Sequence, residues 1–222
     1  MKVSLSLDKS YSKDVAIMVD VLRASTTITV AMENFGTIIP VKTIEEAENF
    51  AKKNDAVLAG ERRGAAIKGF DTGNSPIEIS KFAGDVLVIT TSNGTRIMDG
   101  MQSKALIGSF VNAKSVAQTA LNLAENHIEV VMAGVEGNFA IEDFLGAGEI
   151  ISYLTDQKLD EKALAAYMAS RDAYMVQNAI KTSRSARRLG ELGLTNDVEF
   201  CLKRNIYDTV PVYENGRINL IK

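Results

Sequence analysis

Four stretches of the chain combine acids, arginines, hydroxyls and glycines in a way that could hold and cleave a small phosphorylated anion, and each directly follows an apolar run. The first is Asp20-Val21-Leu22-Arg23-Ala24-Ser25-Thr26-Thr27. An aspartate at a strand end suits a hard cation such as magnesium, Arg23 can clamp an oxyanion, and Ser25 can cap the next helix. The bland reading of the same residues is a helix cap beside an Asp20–Arg23 pair. The second is Gly60-Glu61-Arg62-Arg63-Gly64, followed by Gly69-Phe70-Asp71-Thr72-Gly73-Asn74-Ser75-Pro76. Guanidinium forks match carboxylate and phosphate oxygens in pairs, so Arg62 and Arg63 are expected to face an anion rather than form a solvated turn. Ser75-Pro76 reads as a helix start at the end of a long, irregular loop.

The third stretch, Thr90-Thr91-Ser92-Asn93-Gly94-Thr95-Arg96, can present backbone N–H groups and hydroxyls to a phosphate at a helix N-terminus, with Arg96 adding a permanent charge. It lacks the Gly-Lys-Ser/Thr of a Walker A loop, and an Asx turn with a helix cap is the plain alternative. The fourth, Ala133-Gly134-Val135-Glu136-Gly137-Asn138-Phe139-Ala140-Ile141-Glu142-Asp143, brings two carboxylates to a helix start. They suit the helix dipole as well as a metal. Being about 100° apart on the helix, at most one of them is expected to reach a given cation.

The elements that must position these loops follow from periodicity. Apolar, β-branched runs at 15–19, 37–41, 56–59, 85–90, 105–108 and 128–133 read as buried strands. Helical patterns separate them: Thr43 caps apolar positions 44, 47, 50 and 51, and Asn112 caps a second helix reaching Ala124. The expected fold is α/β, a mostly parallel sheet with helices on both faces. In such a sheet ligands bind beyond the carboxyl ends of the strands, where all four stretches lie. From Ile141 the pattern is helical, at 147–154, 161–168, 174–181 and 185–192, and the chain ends in a hairpin turning on Asn215-Gly216. Residues 1–222 are expected to form a single compact domain, with a helical subdomain over about 141–205 as the alternative division.

Composition removes whole classes of function. The 25 basic against 28 acidic residues give a net charge of −3, so no global field draws the chain to nucleic acid or an anionic membrane. A lone Cys201 excludes an intrachain disulfide or a thiolate zinc site and points to a reducing cytoplasm. A lone His127, expected in a solvent-facing turn, leaves little for histidine-phosphate chemistry. The start lacks a signal-peptide core, and no apolar run reaches membrane-spanning length. The basic residues Lys181, Arg184, Arg187 and Arg188 read as a solvated helix face, with closure over the bound anion as the alternative. Met168, Tyr174 and Met175 read as core or as a homodimer interface.

Hydrolysis of a phosphomonoester fits this inventory, because arginines and a metal can neutralise phosphoryl oxygens while a carboxylate orients water. No Cys-x5-Arg loop follows Cys201, and Asp20 lacks a second aspartate two residues on. The blocks quoted above, with Thr91-Ser92-Asn93-Gly94-Thr95-Arg96 and Glu142-Asp143-Phe144-Leu145-Gly146-Ala147-Gly148, resemble in order those of the 2-phosphosulfolactate phosphatases. The resemblance implies a magnesium-dependent enzyme converting 2-phospho-3-sulfolactate and water to 3-sulfolactate and phosphate, an early step of coenzyme M biosynthesis. On that reading Asp20 and Glu142 or Asp143 hold the metal, and Glu61 is a ligand or orients water. Arg23, Arg62, Arg63 and Arg96 take the anion, and Ser25 with Thr91, Ser92, Asn93, Gly94 and Thr95 cradles phosphate. The alternatives are another 2-phospho-hydroxy acid as substrate, a phosphosugar isomerase or transferase using the 91–95 loop, or a non-catalytic module that binds phosphorylated metabolites.

Overall fold

A computed structural model describes residues 1–101 and 103–221. Its strands are β1 Lys2–Leu7, β2 Val15–Val19, β3 Phe35–Pro40, β4 Val57–Arg62, β5 Ala65–Ala66, β6 Gly84–Thr90, β7 Lys104–Gly108, β8 His127–Met132, β9 Lys158–Leu159, β10 Pro211–Glu214 and β11 Arg217–Leu220. The helices are α1 Ala24–Ala31, α2 Ile44–Ala51, α3 Pro76–Ile79, α4 Gly94–Asp99, α5 Ala113–Leu123, α6 Ile141–Ile151, α7 Glu161–Ala169, α8 Ala173–Lys181, α9 Arg184–Glu191 and α10 Thr195–Cys201. Among the described residues no helix is long and apolar enough to cross a membrane.

All six apolar runs form strands, and the sheet order is β5-β4-β6-β3-β11-β10-β7-β2-β8-β1-β9. The alternation of β2 shows why both faces are covered. Val15, Ile17 and Val19 enter a core with α5 and α6, while Ala16 and Met18 enter one with α1, α3 and α4. The pairings of β1, β2, β3, β4 and β6 with β7, β8, β9 and one another are parallel. The C-terminal hairpin turns on Asn215 and Gly216, with φ of 52° and 76°, the two left-handed residues of a type I′ turn. It does not lie at an edge: β10 pairs antiparallel with β7 and β11 with β3, so it joins the two parallel halves.

One local expectation changes. His127 opens β8 instead of lying in a turn, half-buried with Nε2 2.7 Å from Ser4 Oγ of β1. Helix α6 begins at Ile141, six residues before its strongest apolar pattern. The N-terminal segment 2–7 forms β1, an inner strand between β8 and β9.

Contacts across the sheet show that it curls. Strands β6 and β2 stand five positions apart, about 24 Å on a flat sheet. Yet a Cβ added at Gly94, at the start of α4 after β6, would lie 2.9 Å from the Cβ of Ala24 after β2. The curl brings the carboxyl ends of β2, β4 and β6 together. Close packing of α6 on α7 then fixes the helical segment. A Cβ at Gly148 would lie 2.2 Å from the backbone oxygen of Ala166, which no rotamer change can relieve. Gly148→Ala is therefore expected to cost about 3 kcal/mol or more in urea unfolding. Equal midpoints for variant and parent would show that α6 and α7 separate freely.

Candidate active site

A cavity of about 310 Å³ opens where the strand exits converge, lined by Asp20, Arg23, Glu61, Arg63, Ser92 and Asn93 from those exits, Glu136 after β8, and Asn74 before α3. Its opposite wall is α9, through Arg184, Ser185, Arg188 and Leu189. Left-handed residues turn the loops across it: Arg63 and Gly64 after β4, with φ of 53° and 85°, and Glu136 after β8, with φ of 52°.

Asp20 lies at the centre. Its backbone N–H donates to Ser25 Oγ at 2.9 Å, and its Oδ1 accepts the N–H of Ala24 at 3.2 Å, which fixes the carboxyl at the start of α1. Oδ2 meets no hydrogen-bond donor among the described residues. Burial, with Glu61 and Glu142 nearby, raises the Asp20 carboxyl to about 7, against the pull of the Ala24 N–H and of Arg23. Arg23 is itself held from behind. Nη1 bonds Asp197 Oδ2 at 2.7 Å, Nη2 bonds the backbone oxygen of Gly64 at 2.7 Å, and Ser75 Oγ donates to the other oxygen of Asp197 at 2.7 Å. Of the five guanidinium donors, two are taken up by these bonds.

Glu61 ties two loops together. Oε2 accepts the N–H of Gly64 and Oε1 that of Ser92, each at 2.6 Å. The two arginines after it part company: Arg62, the last residue of β4, faces away from Glu61 as successive strand residues do, and the left-handed turn at Arg63 brings that residue back. Arg63 lines the cavity, whereas Arg62 bonds the backbone oxygens of Glu61 and Lys42 and Thr90 Oγ1, outside it. In the next loop Ser92 and Asn93 line the cavity, and Asn93 Oδ1 accepts the N–H of Glu136 at 3.1 Å. Thr91 and Thr95 bond each other, Thr95 N–H to Thr91 Oγ1 at 3.2 Å and Thr95 Oγ1 to the Thr91 oxygen at 2.8 Å. Both are buried, and Gly94 packs against Ala24. Arg96 is exposed and pairs with Asp8. Arg62, Arg96, Thr91, Gly94, Thr95 and Ser25 are thus absent from the cavity lining.

The acids opening α6 also separate. Asp143 Oδ1 accepts the N–H of Val21 at 2.8 Å and Oδ2 that of Gly134 at 2.9 Å, so this carboxylate joins α6 to two strand exits. Burial and the charges of Asp20 and Glu142 raise it against those two donors. Glu142, equally buried, has no hydrogen-bond partner among the described residues. It lines a smaller cavity of about 160 Å³ that shares Val135, Arg184 and Ser185 with the first. Asp20 Oδ2 and the carboxylates of Glu142 and Glu136 meet no hydrogen-bond donor among the described residues, and a cation between Asp20 and Glu142 would offset the repulsion between them. Among the described residues no three Asp, Glu, His or Cys side chains form a metal cage. Two carboxylates are a set that magnesium can use, since it takes one or two and completes its shell with water and phosphate oxygens.

Three contributors were weakly marked or unmarked in the sequence. Asp197 lies 174 residues from Arg23. Asn74 stood out in the sequence only as part of a loop. The basic face of α9 is a cavity wall rather than a solvated surface: Arg184 and Arg188 line the site, and Arg188 Nε bonds the backbone oxygen of Arg63 at 3.1 Å. Arg63 and Arg184 have no ion-pair partner among the described residues. Cys201 is buried with its thiol pushed up to about 12, chiefly by burial, which leaves it inert as a nucleophile.

The family model described as 2-phosphosulpholactate phosphatase matches residues 2–216. A curated relative from Methanothermobacter thermautotrophicus, named 2-phosphosulfolactate phosphatase, is 51% identical over 222 residues, covering 100% of this chain and 96% of the relative. A relative from Clostridium acetobutylicum, named probable 2-phosphosulfolactate phosphatase, is 36% identical, covering 98% of this chain and 100% of its own. One of the same name from Thermotoga maritima is 40% identical over 90% of this chain and 89% of its own.

Proposed function

The chain belongs to the 2-phosphosulfolactate phosphatase family, and from that premise we propose that it hydrolyses 2-phospho-3-sulfolactate to 3-sulfolactate and phosphate with magnesium. The reaction serves coenzyme M synthesis in the cytoplasm on this reading. The observation that carries it is the Asp20 carboxylate, with Oδ2 free of donors, in a cavity also lined by Arg23, Arg63, Arg184 and Arg188. The substrate bears phosphate, carboxylate and sulfonate on one small skeleton. Four guanidinium groups opposite three lining acids, Asp20, Glu61 and Glu136, cannot balance that charge alone. Asp20 and Glu142 would hold a magnesium ion, which would offset part of that excess negative charge and polarise a phosphoryl oxygen.

The chain's own residues do the rest. Arg23, its orientation set by Asp197 and Gly64, faces phosphoryl oxygens whose charge grows as the ester bond breaks. Glu61 holds the N–H of Ser92 and so fixes the loop that carries Ser92 and Asn93 against the phosphate. Its remaining lone pairs orient water opposite the leaving oxygen. Water adds to phosphorus, the bond to the C2 oxygen breaks, and that oxygen leaves as the hydroxyl of 3-sulfolactate, its proton coming from the attacking water. Arg184 and Arg188, across the cavity, take the anionic groups that do not react.

The test is phosphate release from 2-phosphosulfolactate and 2-phospholactate with magnesium, then with EDTA. Release that EDTA abolishes and that is fastest with the sulfonate is expected. Metal-dependent release with no preference for the sulfonate would keep the phosphatase and discard the pathway, and release unchanged by EDTA would discard the metal.

A further inference from the structure

Asn74 is 3% exposed, lines the main cavity, and has an amide that bonds nothing. Its Oδ1 is buried without a donor, whereas its Nδ2, which meets no acceptor among the described residues, is not sealed off and can donate into the cavity. An asparagine on a loose loop would turn such a group into water, since a buried amide left unpaired is costly. This one is not loose. Its backbone oxygen accepts Thr27 Oγ1 at 3.0 Å. The next residue, Ser75, caps α3 by accepting the N–H of Glu78 at 3.2 Å and donates to Asp197 at 2.7 Å. On the other side Gly73 leaves only 3.1 Å between an added Cβ and that of Ala66. The loop is clamped on both sides of Asn74 while its side chain stays unsatisfied.

From this geometry we infer that Asn74 is a substrate-binding residue whose Nδ2 donates to an oxyanion of the bound ester beside Arg23. The inference rests on the proposed function for the identity of the ester, and the shared chemistry is an oxyanion acceptor, whether phosphoryl or sulfonate. Ser75, the residue after Asn74, and Arg23 bond the two oxygens of one carboxylate, Asp197, which sets the amide-bearing loop against the guanidinium. Together they offer neutral and charged donors to the same ligand. An aspartate here would repel that ligand, and a leucine would fill the volume without a donor.

The test compares the full chain with Asn74→Ala and Asn74→Leu. One readout is kcat/KM for 2-phosphosulfolactate with magnesium. A second is affinity for inorganic phosphate and for 3-sulfolactate by titration calorimetry. A third is the thermal midpoint in EDTA without ligand. Both variants are expected to lose about 10- to 100-fold in kcat/KM, the range of a hydrogen bond to a charged group. Affinity for one of the two anions should fall by a similar factor and identify the group bound. The ligand-free midpoint of Asn74→Leu should hold or rise, because an unsatisfied amide has gone. Unchanged affinity for both anions would overturn the inference, as would activity lost only in step with a falling midpoint. The anion titrations do not need turnover: a parent that binds phosphate without releasing it from any ester would sink the proposed function and leave the role of Asn74 still measurable.

Discussion

Asp20→Asn is expected to lower phosphate release at least a hundredfold while stabilising the metal-free protein above neutral pH, two effects of opposite sign from one carboxyl. The loss follows from position. Oδ2 is the carboxyl oxygen without a protein donor, and a metal ligand should cost more than the roughly 10- to 100-fold typical of residues that merely orient ligands. The gain follows from proton linkage. The folded carboxyl sits at about 7, whereas an aspartate in the unfolded chain titrates near the model value of 3.8. Between those values the folded state binds more protons than the unfolded one, so stability is fully present below the unfolded value. It is lost as pH rises through the folded one, by up to about 1.4 kcal/mol per pH unit. Asparagine cannot ionise, so the slope shrinks, and the raised Asp143 keeps it from vanishing. Urea unfolding in EDTA from about pH 5 to about pH 8 reads this directly. Magnesium should remove most of the parent's slope and little of the variant's. Parallel slopes for the two proteins in EDTA would mean that Asp20 is not the group being titrated, and near-parental phosphate release by the variant would exclude it as a ligand.

What the sequence made visible was whatever sits near its own signal. The four polar stretches were legible because each ends an apolar run, and parallel sheets place ligands at such ends. The parting of Arg62 from Arg63 was legible in principle, since with Glu61 facing inward the pleat sends the next residue away. The choice between Glu142 and Asp143 was not. It depends on whether the N–H groups of Val21 and Gly134 reach one carboxylate, which is a matter of how α6 docks. The hairpin was legible from Asn215-Gly216, but its central place between β3 and β7 was not, because pairing partners far along the chain leave no local trace. The curl of the sheet was hidden for the same reason, and with it the meeting of β2 with β6. Whether Arg184 and Arg188 are solvated or close over an anion was not legible, because charge on a helix face looks the same whether it meets water or a cavity. Asp197, in a short helix with no unusual composition, had no signal at all.

That hidden residue carries the other large effect. Arg23 and Asp197 form an ion pair whose side chains are each 3% exposed, with both carboxylate oxygens engaged. Removing one partner leaves a buried, uncompensated charge, so Asp197→Ala is expected to cost about 3–5 kcal/mol in urea unfolding. Arg23→Met should cost a similar amount, because the orphan is then Asp197. The double variant Arg23→Met with Asp197→Leu removes both charges and restores apolar volume, and such replacements are often neutral or stabilising. Its stability should return to within about 1 kcal/mol of the parent, while phosphate release stays at the level of Arg23→Met alone. That outcome would separate what the pair does for folding from what the guanidinium does in the cavity. A double variant that recovers activity along with stability would place Arg23 in the scaffold only. One that stays as unstable as the single variants would mean that the bonds of Arg23 to Gly64 and of Ser75 to Asp197, rather than the charge pair, hold α3, α10 and the β4 loop together. A buried pair aimed at a cavity contributes little net stability by itself. Its retention here, with three guanidinium donors not used by the scaffold, is what a site for a multiply charged anion requires.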